Sequence, residues 1–295
     1  MTAAPVPGSM SDAASGNAPI GIFDSGVGGL SVLRHIRAQL PHEHLIYVAD
    51  SGFAPYGNKS EQVVAQRSLS IANFLVERGA KALVVACNTA TISAIKVLRE
   101  HYPDMPIVGV EPGLKPAAAA SRSGKVGVLA TYNTLHGAKF LALREQVSAA
   151  SGVSFLLQPC VGLVDQIELG ELGSPEILSM LQRYVAPLLD QGADTIVLGC
   201  THYPFVRASI ESVIAAASHE PVTLVDTGDA VARQLARLLT QGGLLRLEGA
   251  PATLEAFTSA SATALAAAFS NLVGLTPPVA EVAFPIPAAA FGTPA

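Results

Sequence analysis

Two apolar runs of this 295-residue chain each end on a cysteine that polar residues follow. The runs are KALVVACNTAT, which contains Cys87, and DTIVLGCTHYP, which contains Cys200, and the two cysteines coincide when the runs are aligned. A thiolate can remove a proton from carbon, and a thiol can return one. Two cysteines on opposite sides of one carbon would invert its configuration, so we interpret Cys87 and Cys200 as a catalytic acid/base pair.

The residues after each cysteine are of types that begin helices. Asn88 and Thr89 follow the first cysteine, and Thr201 and His202 follow the second. The N–H groups and dipole of a helix N-terminus favour a thiolate and can hold a carboxylate. We therefore expect a lowered thiol pKa and a bound carboxylic acid at each cysteine, with His202 assisting the proton transfer at the second.

Other interpretations of the cysteines are weaker. A single cysteine at a strand end is usually a small buried hydrophobe, and Cys160, within the apolar LLQPCVGLV, is expected to pack in this way. Cys200 and His202 could also be zinc ligands. No closely spaced cysteine pair accompanies them, and a full set of four ligands is not identifiable. We therefore expect no metal site.

A glycine-rich turn follows the first predicted strand, in GIFDSGVGGLSVL. Gly26–Gly29 resembles an anion cradle, but Ser31 stands where the dinucleotide-binding fingerprint needs its last glycine. Asp24 and Ser25 end the strand. Asp24 is either a helix N-cap or a cleft residue that binds an ammonium group or tunes a thiol.

Two further polar segments have both a structural and a functional interpretation. YVADSGFAPYGNKS is either a plain loop or a loop that shapes the substrate site with Pro55, Tyr56 and Gly57. In GLVDQIELGEL, Asp165 and Glu168 are three residues apart and share one helix face. That face is either simply solvated or close to the site.

The elements that position these residues alternate between short apolar runs and longer helical patterns. Predicted strands cover residues 20–23, 44–49, 82–87, 106–110, 125–130, 153–157, 195–200 and 222–226. Predicted helices include 60–78, 90–101, 135–150, 174–190 and 229–240. This alternation predicts an α/β fold with mostly parallel sheets flanked by helices.

The repeat of the cysteine-ending strand predicts two similar domains with the active site in the cleft between them. Prolines and a glycine interrupt the pattern at 111–117, so we predict a first domain of 19–112 plus 221–275 and a second of 113–220. In parallel sheets ligands bind at the carboxyl ends of the strands. Residues 1–18 are predicted to be a disordered tail, and 276–295 a Pro/Ala-rich tail.

The composition limits the possible partners and compartment. A net charge of −5 and the lack of a basic patch argue against nucleic-acid binding. Three scattered cysteines suit a reducing compartment. The N-terminal residues lack the features of a secretory signal, and no apolar run is long enough to span a bilayer. We expect a cytoplasmic protein with no membrane contact.

With these motifs assembled, the chain resembles the glutamate racemase family of the cofactor-independent aspartate/glutamate racemase superfamily. The segments that carry the resemblance are GIFDSGVGGLSVL, YVADSGFAPYG, ACNTAT, GVEPGLKPA, VLGCTHYPF and VDTGDAVA. The resemblance implies an isomerase that converts L-glutamate to D-glutamate for peptidoglycan biosynthesis. It also implies that no cofactor is needed, and that a homodimer is possible.

Carried over position by position, the resemblance implies that Cys87 and Cys200 are the acid/base residues. It implies substrate contacts at Asp24, Ser25, Tyr56, Gly57, Asn88, Thr89, Thr201 and His202. Asp24, His202 and a carboxylate of the second domain would assist. Asp165 and Glu168 both match that carboxylate loosely, with Glu168 slightly preferred. The segment Ala130–Thr134 lacks a glycine common in the family, which affects local turn geometry rather than the chemistry.

Two rival functions remain open at this point. The same paired cysteines would serve an aspartate or hydantoin racemase. A non-catalytic amino-acid-binding module with inert thiols is a third hypothesis, although a binder has no need of two symmetric thiols. The chain shows no obvious lysine for a pyridoxal phosphate cofactor.

Overall fold

The continuous apolar runs of the sequence form the central strands of two parallel β-sheets. In the computed structural model, which describes residues 16–248 and 251–285, every residue of Ile20–Asp24 and of Ala82–Val85 is buried. Strands that helices cover on both faces need apolar side chains at every position, so these runs do not alternate with polar residues. The predicted α/β class, with two parallel sheets flanked by helices, is confirmed.

The described residues form ten strands. They are β1 (Ile20–Asp24), β2 (Leu45–Ala49), β3 (Ala82–Val85), β4 (Ile107–Gly109), β5 (Lys125–Ala130), β6 (Ser154–Pro159), β7 (Thr195–Leu198), β8 (Thr223–Val225), β9 (Leu254–Thr258) and β10 (Val279–Glu281). The first sheet has the order β10-β9-β2-β1-β3-β4, and the second has the order β6-β5-β7-β8. Every pairing is parallel.

Eleven α-helices cover the sheets in the described part of the chain. They are α1 (Leu30–Gln39), α2 (Glu61–Glu77), α3 (Asn88–His101), α4 (Leu114–Ala120), α5 (Tyr132–His136), α6 (Ala138–Ser151), α7 (Leu163–Glu168), α8 (Pro175–Asp190), α9 (Arg207–Ala217), α10 (Gly228–Gln241) and α11 (Ala262–Val273). The predicted helix 135–150 is two helices, because Gly137 has extended backbone angles between α5 and α6. None of the helices described is long and apolar enough to cross a bilayer.

The chain passes from the first sheet to the second and back once. It leaves the first sheet after β4, which ends at Gly109, and enters the second at β5, which begins at Lys125. The return differs from the prediction. The strand predicted at 222–226 was assigned to the first domain, but Thr223 pairs with Thr195 of β7, so β8 is the edge of the second sheet. The chain returns only with α10, which packs on α1.

The C-terminal tail prediction also needs correction where the structure describes it. Val279–Glu281 forms β10 and pairs with Ala256–Thr258 of β9. A three-residue edge strand among prolines buries little, so its sequence carries no apolar pattern. Residues 286–295 of that tail and residues 1–15 of the N-terminal one lie outside the described residues. Gly16 is described, and its carbonyl oxygen accepts a hydrogen bond from Lys81 Nζ at 2.6 Å.

Asp194 ties the loop before β5 to the start of β7. Its Oδ2 accepts the N–H groups of Arg122 and Ser123, both at 2.7 Å, and its Oδ1 accepts Ser121 Oγ at 2.7 Å. Burial by itself would raise the pKa of Asp194. The hydrogen bonds, including one from Thr195, outweigh burial and lower the pKa to about 2.

The Asn variant of Asp194 is expected to show a pH-dependent loss of stability. Because the folded pKa lies below the unfolded one, the ionised carboxylate stabilises the fold above about pH 4, and this contribution is lost as the pH falls through about 2. Urea denaturation at a series of pH values should therefore show Asp194→Asn less stable than the wild type at neutral pH. The difference should shrink in acid. A difference that does not change with pH would contradict this account.

Candidate active site

The carboxyl ends of the two sheets meet around one small enclosed cavity. Residues of both domains line it: Ser25, Pro55, Tyr56, Gly57, Cys87, Asn88, Thr89, Thr131, Val164, Cys200, Thr201 and His202. Its volume is about 20 Å³, which is space for about one water molecule. A bound amino acid needs more room than this, which a separation of the two domains would supply.

Sequence reasoning predicted most of this lining. Cys87, Cys200 and every predicted substrate-binding residue except Asp24 line the cavity, whereas Asp24 lies behind Ser25 and is fully buried. A larger cavity of about 420 Å³ lies between the strand β4 and the helices α4 and α10. Its described lining includes no cysteine and no histidine, so it offers no comparable acid/base pair.

Cys87 is the N-cap residue of α3. Its Sγ accepts a hydrogen bond from Ala90 N at 3.5 Å and lies 3.7 Å from Ser25 Oγ. Asn88 and Thr89 are therefore the first residues of the helix rather than its cap. The N-terminus of α3 does meet the thiol, as the sequence predicted.

The predicted lowering of the thiol pKa is wrong for Cys87. Burial raises its pKa well above the usual value, and the carboxylate of Asp24 raises it further. The hydrogen bonds from Ala90 N and Ser25 act in the opposite direction but do not outweigh burial. Loss of solvation raises the pKa of a sulfur between two domains by more than the N–H groups of one helix N-terminus lower it.

The local structure after Cys200 differs from that after Cys87. A 3₁₀ turn, Tyr203–Val206, separates Cys200 from α9, so no α-helix begins directly at this cysteine. The nearest polar partner is instead a side chain, because Cys200 Sγ lies 3.7 Å from His202 Nδ1. The two strand ends match, but the groups next to the two sulfurs do not.

His202 and Glu168 form a buried pair beside Cys200. His202 Nε2 lies 2.6 Å from Glu168 Oε1. Burial by itself lowers the pKa of His202, but its hydrogen bonds to Cys200 and Glu168, together with their charges, raise the pKa well above its usual value. Burial would raise the pKa of Glu168, but the hydrogen bond and charge of His202 and the N–H of Val27 lower it. At neutral pH the pair is an imidazolium and a carboxylate.

The structure distinguishes Glu168 from Asp165 by position. Both belong to α7, but Glu168 contacts His202. Asp165 makes no side-chain hydrogen bond to a cavity residue among the described contacts. Glu168 Oε1 also accepts a hydrogen bond from Val27 N of the first domain at 3.0 Å. A three-residue spacing places both side chains on one helix face, and only the contacts in the structure separate them.

Replacing Glu168 by glutamine is expected to lower the pKa of His202. The glutamine keeps the hydrogen-bonding shape but removes the negative charge that favours the imidazolium. An NMR titration of the histidine ring protons, with His202→Asn used to assign the resonance, measures the change. Asp165→Gln is the matched control on the same helix, and it should leave the His202 titration in place. An unchanged titration in Glu168→Gln would contradict the pairing.

Asp24 accepts a hydrogen bond from the glycine-rich turn that follows β1. Its Oδ2 accepts Gly29 N at 2.8 Å, and its Oδ1 lies 3.5 Å from Ser25 Oγ. Burial raises the pKa of the Asp24 carboxyl, against the opposing effects of His202 and the Gly29 N–H. Asp24 thus holds the glycine-rich turn and acts electrostatically on both Cys87 and His202.

Asn88 has an unpaired side chain at the cavity. Its Oδ1 and its Nδ2 are both buried and have no hydrogen-bond partner among the described residues, and Asn88 is 4% exposed. Buried amides are almost always hydrogen-bonded, so an unpaired one in a cavity wall indicates a group that a ligand satisfies. An amide can meet a carboxylate with its N–H and an ammonium group with its oxygen.

Sequence reasoning predicted Thr89 but missed the two threonine hydroxyls of the second domain that lie beside it. Thr89 Oγ1 lies 3.3 Å from Thr131 Oγ1 and 3.4 Å from Thr134 Oγ1, and these last two are 2.9 Å apart. Thr131 is the N-cap of α5, with its Oγ1 accepting the N–H of Thr134. The signal was present in ATYNT, where a threonine follows the end of β5 as the cysteines follow β3 and β7.

A second missed group is the buried ion pair behind Tyr56. Arg67 donates to both oxygens of Asp50 at 2.7 Å, and Tyr56 Oη donates to Asp50 Oδ2 at 2.6 Å. Ser259 Oγ donates to Asp50 Oδ1 at 2.6 Å, and the Arg67 guanidinium also donates to the carbonyl of Phe284. This network fixes the loop that presents Tyr56 and Gly57. Ser259 and Phe284 lie more than 200 residues from Asp50 and Arg67, respectively, so no local pattern indicates the complete network.

The remaining predictions concern metals and Cys160. In the part of the chain that the structure describes, no group of three or more His, Cys, Asp or Glu side chains is placed to hold a metal ion. Cys160 is 3% exposed and belongs to the apolar core of the second domain, and burial strongly raises its pKa. Its surroundings are those of a packing residue.

Comparison with known proteins identifies close relatives. The model of the Asp/Glu/hydantoin racemase family matches residues 20–235. The chain is 57% identical to the glutamate racemase of Pseudomonas syringae pv. tomato over 229 residues, which covers 78% of this chain and 81% of the relative.

Solved structures with the same two-domain fold are also similar. The Escherichia coli glutamate racemase in complex with L-glutamate and the activator UDP-MurNAc-Ala is 34% identical, with a TM-score of 0.75 and coverage of 90% of this chain and 97% of that one. The Francisella tularensis glutamate racemase in complex with D-glutamate is 25% identical, with a TM-score of 0.78 and coverage of 91% and 98%.

Proposed function

Since this chain belongs to the Asp/Glu/hydantoin racemase family, we propose that it interconverts L- and D-glutamate by proton transfer between two cysteines, without a cofactor. The observation that carries the proposal is the common cavity lined by Cys87 from the first domain and Cys200 from the second. Thiols on opposite walls of one cavity can reach opposite faces of a bound α-carbon.

The two sulfurs have different neighbours. His202 Nδ1 lies 3.7 Å from Cys200 Sγ, where the imidazolium can assist proton transfer at that sulfur. Burial raises the pKa of Cys87, so this sulfur keeps its proton at rest. In one direction the Cys200 thiolate removes the α-proton and the Cys87 thiol donates its proton to the opposite face. In the other direction the two roles exchange.

The carbanion between the two steps needs stabilisation from the cavity walls. Its charge spreads onto the α-carboxylate, which the first N–H groups of α3 and the unpaired amide of Asn88 can meet. The hydroxyls of Thr89, Thr131 and Thr134 suit the distal carboxylate of glutamate. Closure of the domains excludes water, which strengthens these interactions.

The relatives bound to L-glutamate and to D-glutamate support the choice of substrate. We place the reaction in the cytoplasm, where D-glutamate would supply peptidoglycan biosynthesis. Asp24 and Ser25 lie beside Cys87 and the cavity. We assign to them two roles: binding of the substrate ammonium group and assistance of proton transfer at Cys87.

The test is to incubate the purified, metal-free protein with L-glutamate in D₂O and follow the circular dichroism of the solution. We expect the signal to decay to zero as D-glutamate forms, with deuterium at the α-carbon of the product. L-Aspartate and a chiral hydantoin are assayed in parallel. Turnover of either in preference to glutamate would overturn the substrate assignment, and no turnover of any of them would overturn the function.

A further inference from the structure

The glycine-rich turn of the first domain contacts the catalytic turn of the second domain directly. Val27 N donates to Glu168 Oε1 at 3.0 Å, and that same oxygen lies 2.6 Å from His202 Nε2. Ser31 Oγ lies 2.8 Å from the carbonyl oxygens of both Gly28 and Thr201. The turn at 26–29 therefore faces a protein surface, not the anion that its glycines suggest by analogy.

A side chain at either of two glycines would displace side chains of the second domain. A Cβ atom on Gly26 would lie 2.1 Å from Glu168 Oε1. A Cβ atom on Gly28 would lie 2.3 Å from His202 Nδ1 and 2.7 Å from Thr201 Oγ1. Neither glycine has a positive φ, so backbone conformation does not explain the residue type. The close approach of second-domain side chains explains it instead.

The affected atoms belong to the reacting side of Cys200. His202 Nδ1, which the Gly28 turn approaches, is the nitrogen that faces Cys200 Sγ. Glu168, which the Val27 N–H holds, orients the opposite nitrogen of the same ring. Cys87 has no such contact, because its partners Ser25 and Ala90 belong to its own domain.

We propose that the Gly26–Gly29 turn is a positioning element for proton transfer at Cys200. When the domains close, the Val27 N–H fixes Glu168 and the bare backbone of Gly28 seats the His202 ring against the sulfur. The Cys200 base is assembled only in the closed form, whereas the Cys87 base is complete within the first domain. This inference rests on the proposed two-cysteine reaction.

The test separates the two cysteines with a reaction that needs only one base. In 3-chloroglutamate, a thiolate removes the α-proton and the C–Cl electron pair leaves as chloride. The resulting enamine takes up water and releases ammonia and 2-oxoglutarate, which is measured. Cys87→Ala retains only the Cys200 base, and Cys200→Ala retains only the Cys87 base. Each single variant is therefore expected to process one α-configuration of the substrate, and the two variants opposite ones.

Gly28→Ala is then added to each single-cysteine background. We expect elimination by Cys200 to fall by about 100-fold, since displacement of an assisting group by about 1 Å has an effect of that size. Elimination by Cys87 should change little. Gly173→Ala is the matched control, because a Cβ atom at Gly173 meets nothing within 4 Å.

Each outcome decides the inference. An equal loss in both backgrounds would mean that the turn acts on the whole cleft, and no loss in either would mean that it positions nothing; both results overturn the proposal. If Gly28→Ala does not fold, Ser31→Ala removes the hydroxyl bridge to Thr201 without adding volume, and it must show a smaller loss that is confined to Cys200. If neither single-cysteine variant eliminates chloride, or both prefer one configuration, the proposed two-cysteine function itself fails.

Discussion

The rate of glutamate racemisation is expected to fall by about four orders of magnitude in Cys87→Ala, and by a similar factor in Cys200→Ala. This is the upper end of the rate contribution of one general acid or base. Each variant lacks the group that must remove or return a proton on one face of the carbon. Circular dichroism of L-glutamate and of D-glutamate measures the loss in both directions. Because the equilibrium constant of a racemisation is one, kcat/KM should fall equally in the two directions.

Cys160→Ala is the matched control for this prediction. Cys160 is buried in the second domain like Cys200, but it does not line the cavity. Its replacement should lower the free energy of unfolding and leave racemisation close to that of the wild type. Retention of the one-base elimination reaction in both site variants would show that they still fold and bind. Comparable, readily measured racemisation in both Cys87→Ala and Cys200→Ala would contradict the two-base mechanism.

Replacing Arg67 by methionine is expected to lower the free energy of unfolding by about 3–5 kcal/mol, the range observed when one member of a buried ion pair is removed. Arg67 is 7% exposed and Asp50 is fully buried, so the variant leaves a carboxylate inside the protein with only two hydroxyl donors, Tyr56 and Ser259. Urea denaturation measures the loss. Lys96→Met, which removes an exposed ion pair with Glu100, is the control and should change stability by less than about 0.5 kcal/mol.

The same variant should also affect catalysis through Tyr56. Asp50 holds the Tyr56 hydroxyl at 2.6 Å, and Tyr56 and Gly57 line the cavity. Loss of Arg67 removes the two hydrogen bonds that orient the Asp50 carboxylate, and Tyr56 is then held less firmly. We therefore expect a raised KM for glutamate under conditions where the variant is still folded. A loss of stability below about 1 kcal/mol would show that the Arg67–Asp50 ion pair does not stabilise the fold as proposed.

The architecture was largely predictable because parallel strands covered on both faces leave a clear signal. Runs such as 82–87 and 195–200 are apolar at nearly every position, and the strands end within two residues of their predicted limits. The edges of the sheets gave weaker signals. β9 and β10 bury few large side chains, and β8 has no feature that assigns it to one sheet rather than the other. Edge strands are defined by the neighbour that they pair with.

The residues that line the cavity were predictable for a related reason. In a parallel sheet all carboxyl ends lie at one edge, so polar residues after β1, β3 and β7 converge wherever those strands lie side by side. Thr131 follows β5 by the same rule and was overlooked. Asp50 and Arg67 were not predictable, because a buried ion pair between a strand end and a helix follows from packing alone.

The sequence by itself determined the order of the elements, the two-domain α/β class and the placement of two cysteines at matched strand ends, since these follow from apolar patterning and from the repeat. Only the tertiary structure decided between Asp165 and Glu168, raised the pKa of Cys87, and placed Glu168 against the His202 ring beside Cys200. These properties depend on how the second domain lies against the first. Val27 and Glu168, for example, are 141 residues apart and meet only because the two domains pack together, which no local pattern encodes.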